Sequence, residues 1–220
     1  MNAVDRRFCA RGKLTATILT ALLLAAICCA AVHADQPAER DSAAPRVTSF
    51  KLKDARGKEH SADDWRTSKA VVLFFLGTEC PVSNGYSPLM QRIAKSYARR
   101  GVRCYGIHCD PSVSADEAGQ HAQEYGLEFD VLLDPEQTLV RMTGVRIMPE
   151  VVVATPDGKL LYRGRIDDKY ALDGKRRDEP TTHELVDALE AVLAGRTPAI
   201  RETKVFGCPL PKPAAVASPR

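Results

Sequence analysis

The chain reads as an α/β protein, a three-layer sandwich with a central mixed sheet and helices on both faces. Two observations carry that reading. Short continuous apolar runs alternate with amphipathic stretches at helical spacing, the pattern of βαβ units. Pro156-Asp157-Gly158-Lys159 then separates two further apolar runs with the turn chemistry of a hairpin, ahead of a closing helical stretch. The βαβ part is expected to be parallel and the hairpin antiparallel.

Residues 1–34 have the form of an export signal. Arg6, Arg7, Arg11 and Lys13 form a basic start, Leu14 to Val32 is almost wholly apolar, and Val32-His33-Ala34 is a small-residue cleavage site before Asp35. The apolar run is also just long enough to span a bilayer, so an uncleaved anchor is the alternative, and membrane contact is expected only in that case. Either way the remainder is expected to be exported, in a periplasmic or other extracytoplasmic space.

Of 31 Lys and Arg and 28 Asp and Glu, removal of 1–34 leaves 27 of each. A near-neutral chain offers no electrostatic footprint for a nucleic-acid partner. Four cysteines stay: Cys80, Cys104, Cys109 and Cys208. A domain of this length buries a core without disulfide staples, so four cysteines in an exported chain point to redox or metal chemistry as readily as to cross-links.

Residues 35–46 carry no periodic apolar pattern and read as a flexible leader, 47–195 as one domain, and 196–220 as a tail holding Cys208 and a Pro- and Ala-rich end expected to be mobile. Within the domain, Val47 to Lys53 alternates weakly before the turn residues Asp54-Ala55-Arg56-Gly57, and Ser61 to Trp65 looks like one helical turn. Ala70 to Leu76, AVVLFFL, is a strand buried on both faces. A helix is expected from Cys80 to about Arg100 on the stripe Leu89, Met90, Ile93 and Tyr97, kinked at Pro88. Val102 to Cys109 is the next strand, and Ser114 with Glu117 forms a capping box for a helix over Ala115 to Tyr125. Val131 to Leu133 is a short strand, Pro135 opens a short helix ended by Gly144, and Thr182 to Leu193 is an amphipathic helix stopped by Gly195.

Cys80 stands where the first apolar strand gives way to a helix that has Pro81 at its first position. At a helix N-cap the free N–H groups and the positive end of the macrodipole favour a thiolate, the reactive form of cysteine. The bland alternative is a small buried apolar residue.

The run VVLFFLGTECP, Pro149 directly before an apolar strand and Pro156-Asp157-Gly158 in the next turn together resemble the thioredoxin fold. The resemblance is to its exported redoxin branch, the AhpC/TSA relatives and extracytoplasmic thiol–disulfide oxidoreductases, and covers Val47 to Leu193. It implies a nucleophilic role for Cys80 and a cis-proline at Pro149, which in this fold offers backbone to an extended substrate chain. It also matches Pro88 to the proline that kinks the first helix.

The chain departs from its relatives in three ways. Ser83 stands where thioredoxins carry their second redox cysteine, so a C-x-x-S site has no adjacent thiol to release a mixed disulfide. Gly77 stands where peroxiredoxins have a threonine, with Thr78 one residue later, and Pro149 falls at their arginine, leaving Arg146 and Arg165 as remote stand-ins. Asn84 stands where copper-delivery relatives have their second cysteine.

A resolving thiol could therefore be Cys109, at the end of a neighbouring strand, or Cys208 in Phe206-Gly207-Cys208-Pro209, and both pairings stay open. Cys104 points away from Cys109, roughly 16 Å along the strand, and reads as core. His108 with Cys80 and Cys109 is a lesser candidate for a soft metal site. His60, His121 and His183 read as surface, and Arg163, Arg165, Asp167 and Asp168 as a solvated loop or a pocket rim. The expected activity is thiol–disulfide exchange through Cys80, with a protein disulfide or thiol, or a peroxide, as substrate and a thiol reductant as partner. No cofactor and no resident metal are expected. The alternatives are a divergent peroxidase and a non-catalytic copper- or thiol-binding module.

Overall fold

The computed structural model describes residues 45–213. The expected signal and most of the leader lie outside these residues, as does most of the Pro- and Ala-rich end. Among the described residues no helix is long and apolar enough to cross a membrane.

A small hairpin, β1 (Lys51–Lys53) with β2 (Glu59–Ser61), is followed by a single 3-10 turn over Ala62–Trp65. The main sheet has five strands in the order β5, β4, β3, β7, β8. Its members are β3 (Ala70–Leu76), β4 (Val102–His108), β5 (Asp130–Leu133), β7 (Glu150–Ala154) and β8 (Leu160–Gly164). β3, β4 and β5 run parallel, β7 pairs antiparallel with β3, and β8 pairs antiparallel with β7, the last as the turn chemistry predicts. Gly158 makes that turn at φ +82, and a Cβ there would run into the Val47 backbone.

β3 is buried along its whole length because it has cover on both sides. Ala70, Val72, Phe74 and Leu76 face the cluster built with helix α1 (Pro81–Ala98) and helix α4 (Glu184–Leu193). Val71, Leu73 and Phe75 face a second cluster with Phe50, Trp65 and helix α3 (Thr138–Thr143). Helix α2 (Ala115–Glu124) begins at the capping box, with Ser114 Oγ accepting from the Glu117 N–H at 3.2 Å and Glu117 accepting from the Ser114 N–H at 2.8 Å.

Three expectations fail for physical reasons. α3 opens at Thr138 instead of Pro135, because the buried Asp134 carboxylate accepts from the N–H groups of Thr138 at 2.7 Å and Leu139 at 2.8 Å. His60 is buried, its Nε2 3.0 Å from the buried Asp54 carboxylate that also accepts the Arg56 and Lys58 N–H groups. The start of the loop after β8, Arg165 to Asp168, is a largely buried polar network and not a solvated run. Asp167 accepts from Tyr86 Oη at 2.6 Å, Asp168 from the Thr181 and Thr182 N–H groups, and Arg165 pairs with Glu184.

Candidate active site

Cys80 is the N-cap of α1, in extended conformation, with Pro81 behind it. The approach from β3 is close, since a Cβ on Gly77 would stand 3.1 Å from both Cys80 Cβ and Met148 Cε. The Cys80 N–H donates to the Gly77 carbonyl at 3.2 Å, and the Asn84 N–H donates to the Cys80 carbonyl at 2.9 Å. That pairing leaves the Ser83 N–H aimed at Cys80 Sγ, 3.4 Å away. Ser83 itself is fully buried, and its Oγ accepts the Gly77 N–H at 3.3 Å. The second position of the C-x-x-S motif thus supplies a backbone donor and a loop clasp.

The thiol partner comes from the tail. Cys80 and Cys208 form a disulfide with their Cα atoms 6.0 Å apart across 128 residues of sequence. The tail reaches the site by pairing with the scaffold. The Arg163 N–H donates to the Arg201 carbonyl at 2.9 Å, and the Thr203 N–H donates back to the Arg163 carbonyl at 3.1 Å. Strand β9 (Cys208–Pro209) then pairs antiparallel with β6 (Ile147–Met148), setting Cys208 opposite Met148. The Met148–Pro149 peptide bond is cis, and Pro149 is buried directly behind this edge. The Met148 carbonyl oxygen lies 3.3 Å from Cys80 Sγ. Beyond the cysteine, Gln137 Nε2 donates to the Pro211 carbonyl at 2.7 Å and holds the segment down.

Cys109 does not reach Cys80. It is fully buried in the cluster on the other face of the sheet, where burial pushes its thiol up to about 12. A soft metal site joining Cys80, Cys109 and His108 is excluded by the same placement. Cys104 is buried with Cys80's cluster, and its thiol is likewise pushed up to about 12 by burial.

A cleft of about 570 Å³ opens beside the disulfide and is lined by Thr78, Glu79, Cys80, His108, His121 and Cys208, among others. Its lining includes four carboxylates, those of Glu79, Asp110, Glu117 and Glu124, and no Lys or Arg. Arg165 is engaged with Glu184, and neither it nor Arg146 lines this cleft. His108, at the end of β4 beside Leu76, is 1 % exposed, and burial together with the neighbouring His121 lowers its pKa to about 4.

His121 corrects the surface expectation. It is buried, its ring stacked edge-on against His108 at 5.0 Å, with Nε2 2.9 Å from Asn84 Oδ1. Asn84 spends its amide N–H groups on the Thr78 carbonyl at 2.8 Å and on Tyr125 Oη at 3.1 Å, so its oxygen accepts from the His121 ring N–H. Thr78 therefore serves through its backbone, and Asn84 ties α1, α2 and the Cys80 loop together. His108 Nε2 and His121 Nδ1 have no protein partner. Elsewhere, Asp54, His60 and Asp130 cluster closely enough to suggest cation ligands, but the Arg56 guanidinium already donates to Asp130 at 2.6 Å.

A cysteine at a strand-to-helix junction, linked by a disulfide beside a cis-proline edge on this sheet, defines a thioredoxin-fold thiol oxidoreductase. The chain belongs to the AhpC/TSA family, whose pattern it matches over residues 43–163. Among curated relatives, it is 28 % identical over 147 residues to the thiol-disulfide oxidoreductase ResA of Geobacillus thermodenitrificans, spanning 66 % of this chain and 82 % of that one. Two crystal structures share the fold with a TM-score of 0.68. One is a hypothetical protein of Sinorhizobium meliloti, 24 % identical, covering 76 % of this chain and 92 % of its own. The other is an uncharacterized conserved protein of Geobacillus kaustophilus, 25 % identical, covering 78 % and 93 %.

Proposed function

We propose that the protein is an exported thiol–disulfide oxidoreductase whose working couple is Cys80 and Cys208. The observation that carries this reading is the disulfide between the N-cap cysteine of α1 and a tail cysteine opposite Met148. In the reduced form the Ser83 N–H and the α1 macrodipole favour the Cys80 thiolate. That thiolate attacks one sulfur of a substrate disulfide, forming a Cys80 mixed disulfide and expelling the first substrate thiolate. The Cys208 thiolate then attacks Cys80 Sγ, expels the second substrate thiolate and closes the Cys80–Cys208 bond. The substrate has gained two electrons, and a thiol reductant returns the protein to the dithiol. Cys208 thus does the work for which Ser83 has no thiol.

The resemblance that suggested a peroxidase gains no support from the cleft, whose lining lacks an arginine to polarise a peroxide. The ResA relative's name supports disulfide exchange. Residues 1–34 support export through their composition alone.

Reduction of insulin by dithiothreitol-recycled protein tests the reading. Wild type is expected to turn over and Cys80→Ser to be inactive, while Cys208→Ser, pre-reduced and mixed with insulin after the reductant is removed, is expected to stay trapped as a Cys80 mixed disulfide. Peroxide consumption with no disulfide reduction would overturn it.

A further inference from the structure

The tail does more than deliver a thiol, because it lies along the β6 edge as an extended strand. Cys208 sits opposite Met148 in an antiparallel register, so the residue before it runs past Met148 towards Pro149, close over the Met148 carbonyl. That residue is Gly207. A Cβ at its position would stand 2.8 Å from the Met148 carbonyl carbon and 2.9 Å from Ile147 Cγ2, with the Met148 carbonyl oxygen closer still. The obstacle is mainly backbone, held by the cis-proline behind it, and cannot swing aside as a side chain would. Gly207 is not in the left-handed region, so close approach and not conformation is what demands glycine here.

Phe206 anchors the segment one residue earlier, packing against the α1 and α4 cluster and against Gly174. On the other side of the cysteine, Pro209 and Pro211 line the cleft and Gln137 holds the Pro211 carbonyl. The edge is therefore shaped around a cysteine preceded by glycine.

We infer that the Ile147–Met148 edge selects extended polypeptide segments in which glycine immediately precedes the reacting cysteine, and that the chain's own tail is the resident example. The inference rests on the proposed Cys80 chemistry and adds a substrate class to it. It follows that the oxidised protein presents an occupied edge. A partner gains access only after the Cys80–Cys208 bond is reduced and β9 lifts away. Residues with a Cβ before the cysteine are disfavoured by the same contact that fixes Gly207.

The test uses the full chain carrying Cys208→Ser and two synthetic peptides, Lys-Val-Phe-Gly-Cys-Pro-Leu and its Gly→Ala counterpart. Each peptide has its cysteine activated as a mixed disulfide with nitrothiobenzoate. The Cys80 thiolate attacks the peptide sulfur, the new Cys80–peptide disulfide forms, and nitrothiobenzoate leaves as a coloured thiolate. The glycine peptide is expected to react about tenfold faster than the alanine peptide at sub-saturating concentration. In parallel, Gly207→Ala in the otherwise unaltered chain is expected to lower the equilibrium constant for closing Cys80–Cys208 against glutathione by about tenfold. Equal peptide rates with an unchanged closing constant would overturn the inference and leave the redox assignment standing. Failure of Cys80 to react with either peptide or with any small disulfide would overturn both.

Discussion

The Ser83 N–H faces Cys80 Sγ at 3.4 Å along the opening turn of α1, while the Met148 carbonyl faces it at 3.3 Å. The donor and the helix end favour a thiolate, while the carbonyl, and burial of Cys80 beneath the tail at 4 % exposure, oppose one until reduction frees the tail. In reduced protein, Cys80 is therefore expected to titrate below the roughly 8.5 of a free cysteine. Iodoacetamide alkylation followed against pH checks this, with Cys104 and Cys109 as internal controls because burial pushes both thiols up to about 12. His108 supplies a second prediction. Burial holds its pKa near 4 against an ordinary 6.5, so the unfolded chain binds a proton first as pH falls. Its contribution to stability is complete above pH 6.5 and is lost progressively down to about pH 4, a loss of up to about 3 kcal/mol. Urea midpoints measured across that window should fall less in His108→Gln than in wild type. Cys80 was legible in the sequence because a buried strand, a glycine and a proline-led helix are all local signals. His121 was misread from its polar neighbours in sequence. Its spacing with Ala118, Ala122 and Tyr125 marks the inward face of α2 and was the signal available.

Among the elements, the five strands of the main sheet and the long helices follow from periodicity and caps, and the sequence places them within a few residues, whereas the short strands β2, β6 and β9 leave no such pattern. α3 is the exception, since its start is set by Asp134, whose buried carboxylate reaches forward to three N–H groups. A side-chain cap of that reach leaves no periodic trace, and Gln137 takes up φ 55 to allow it. Asp134→Ala strips the cap inside a buried site and should cost about 2 kcal/mol, read from chemical denaturation. It should also loosen the Gln137 hold on Pro211, visible as faster amide exchange at 208–211. The loop after β8 was misread because its charges find partners far away in sequence. Asp167 meets Tyr86 and Arg165 meets Glu184, and burial of such groups is affordable only when they are paired.

Across the whole molecule the decisive feature is the pairing of two cysteines 128 residues apart. Local geometry could separate Cys104 from Cys109, but choosing between Cys109 and Cys208 needed the path of the tail. That path depends on backbone pairing along β8 and β6, to which side-chain pattern is blind. Closing so long a loop restricts the unfolded chain, so reduction should lower stability by up to about 5 kcal/mol. Limited proteolysis should then cut within 196–213 of the reduced protein before it touches the five-stranded sheet. The measurement that bears most directly on the account is a glutathione redox titration read by non-reducing peptide mapping. One two-electron transition is expected to convert the Cys80–Cys208 cross-linked peptide into two free thiols, with insulin reduction lost in Cys80→Ser. A Cys80 that stays a free thiol at every potential, in a protein that still reduces disulfides, would contradict it.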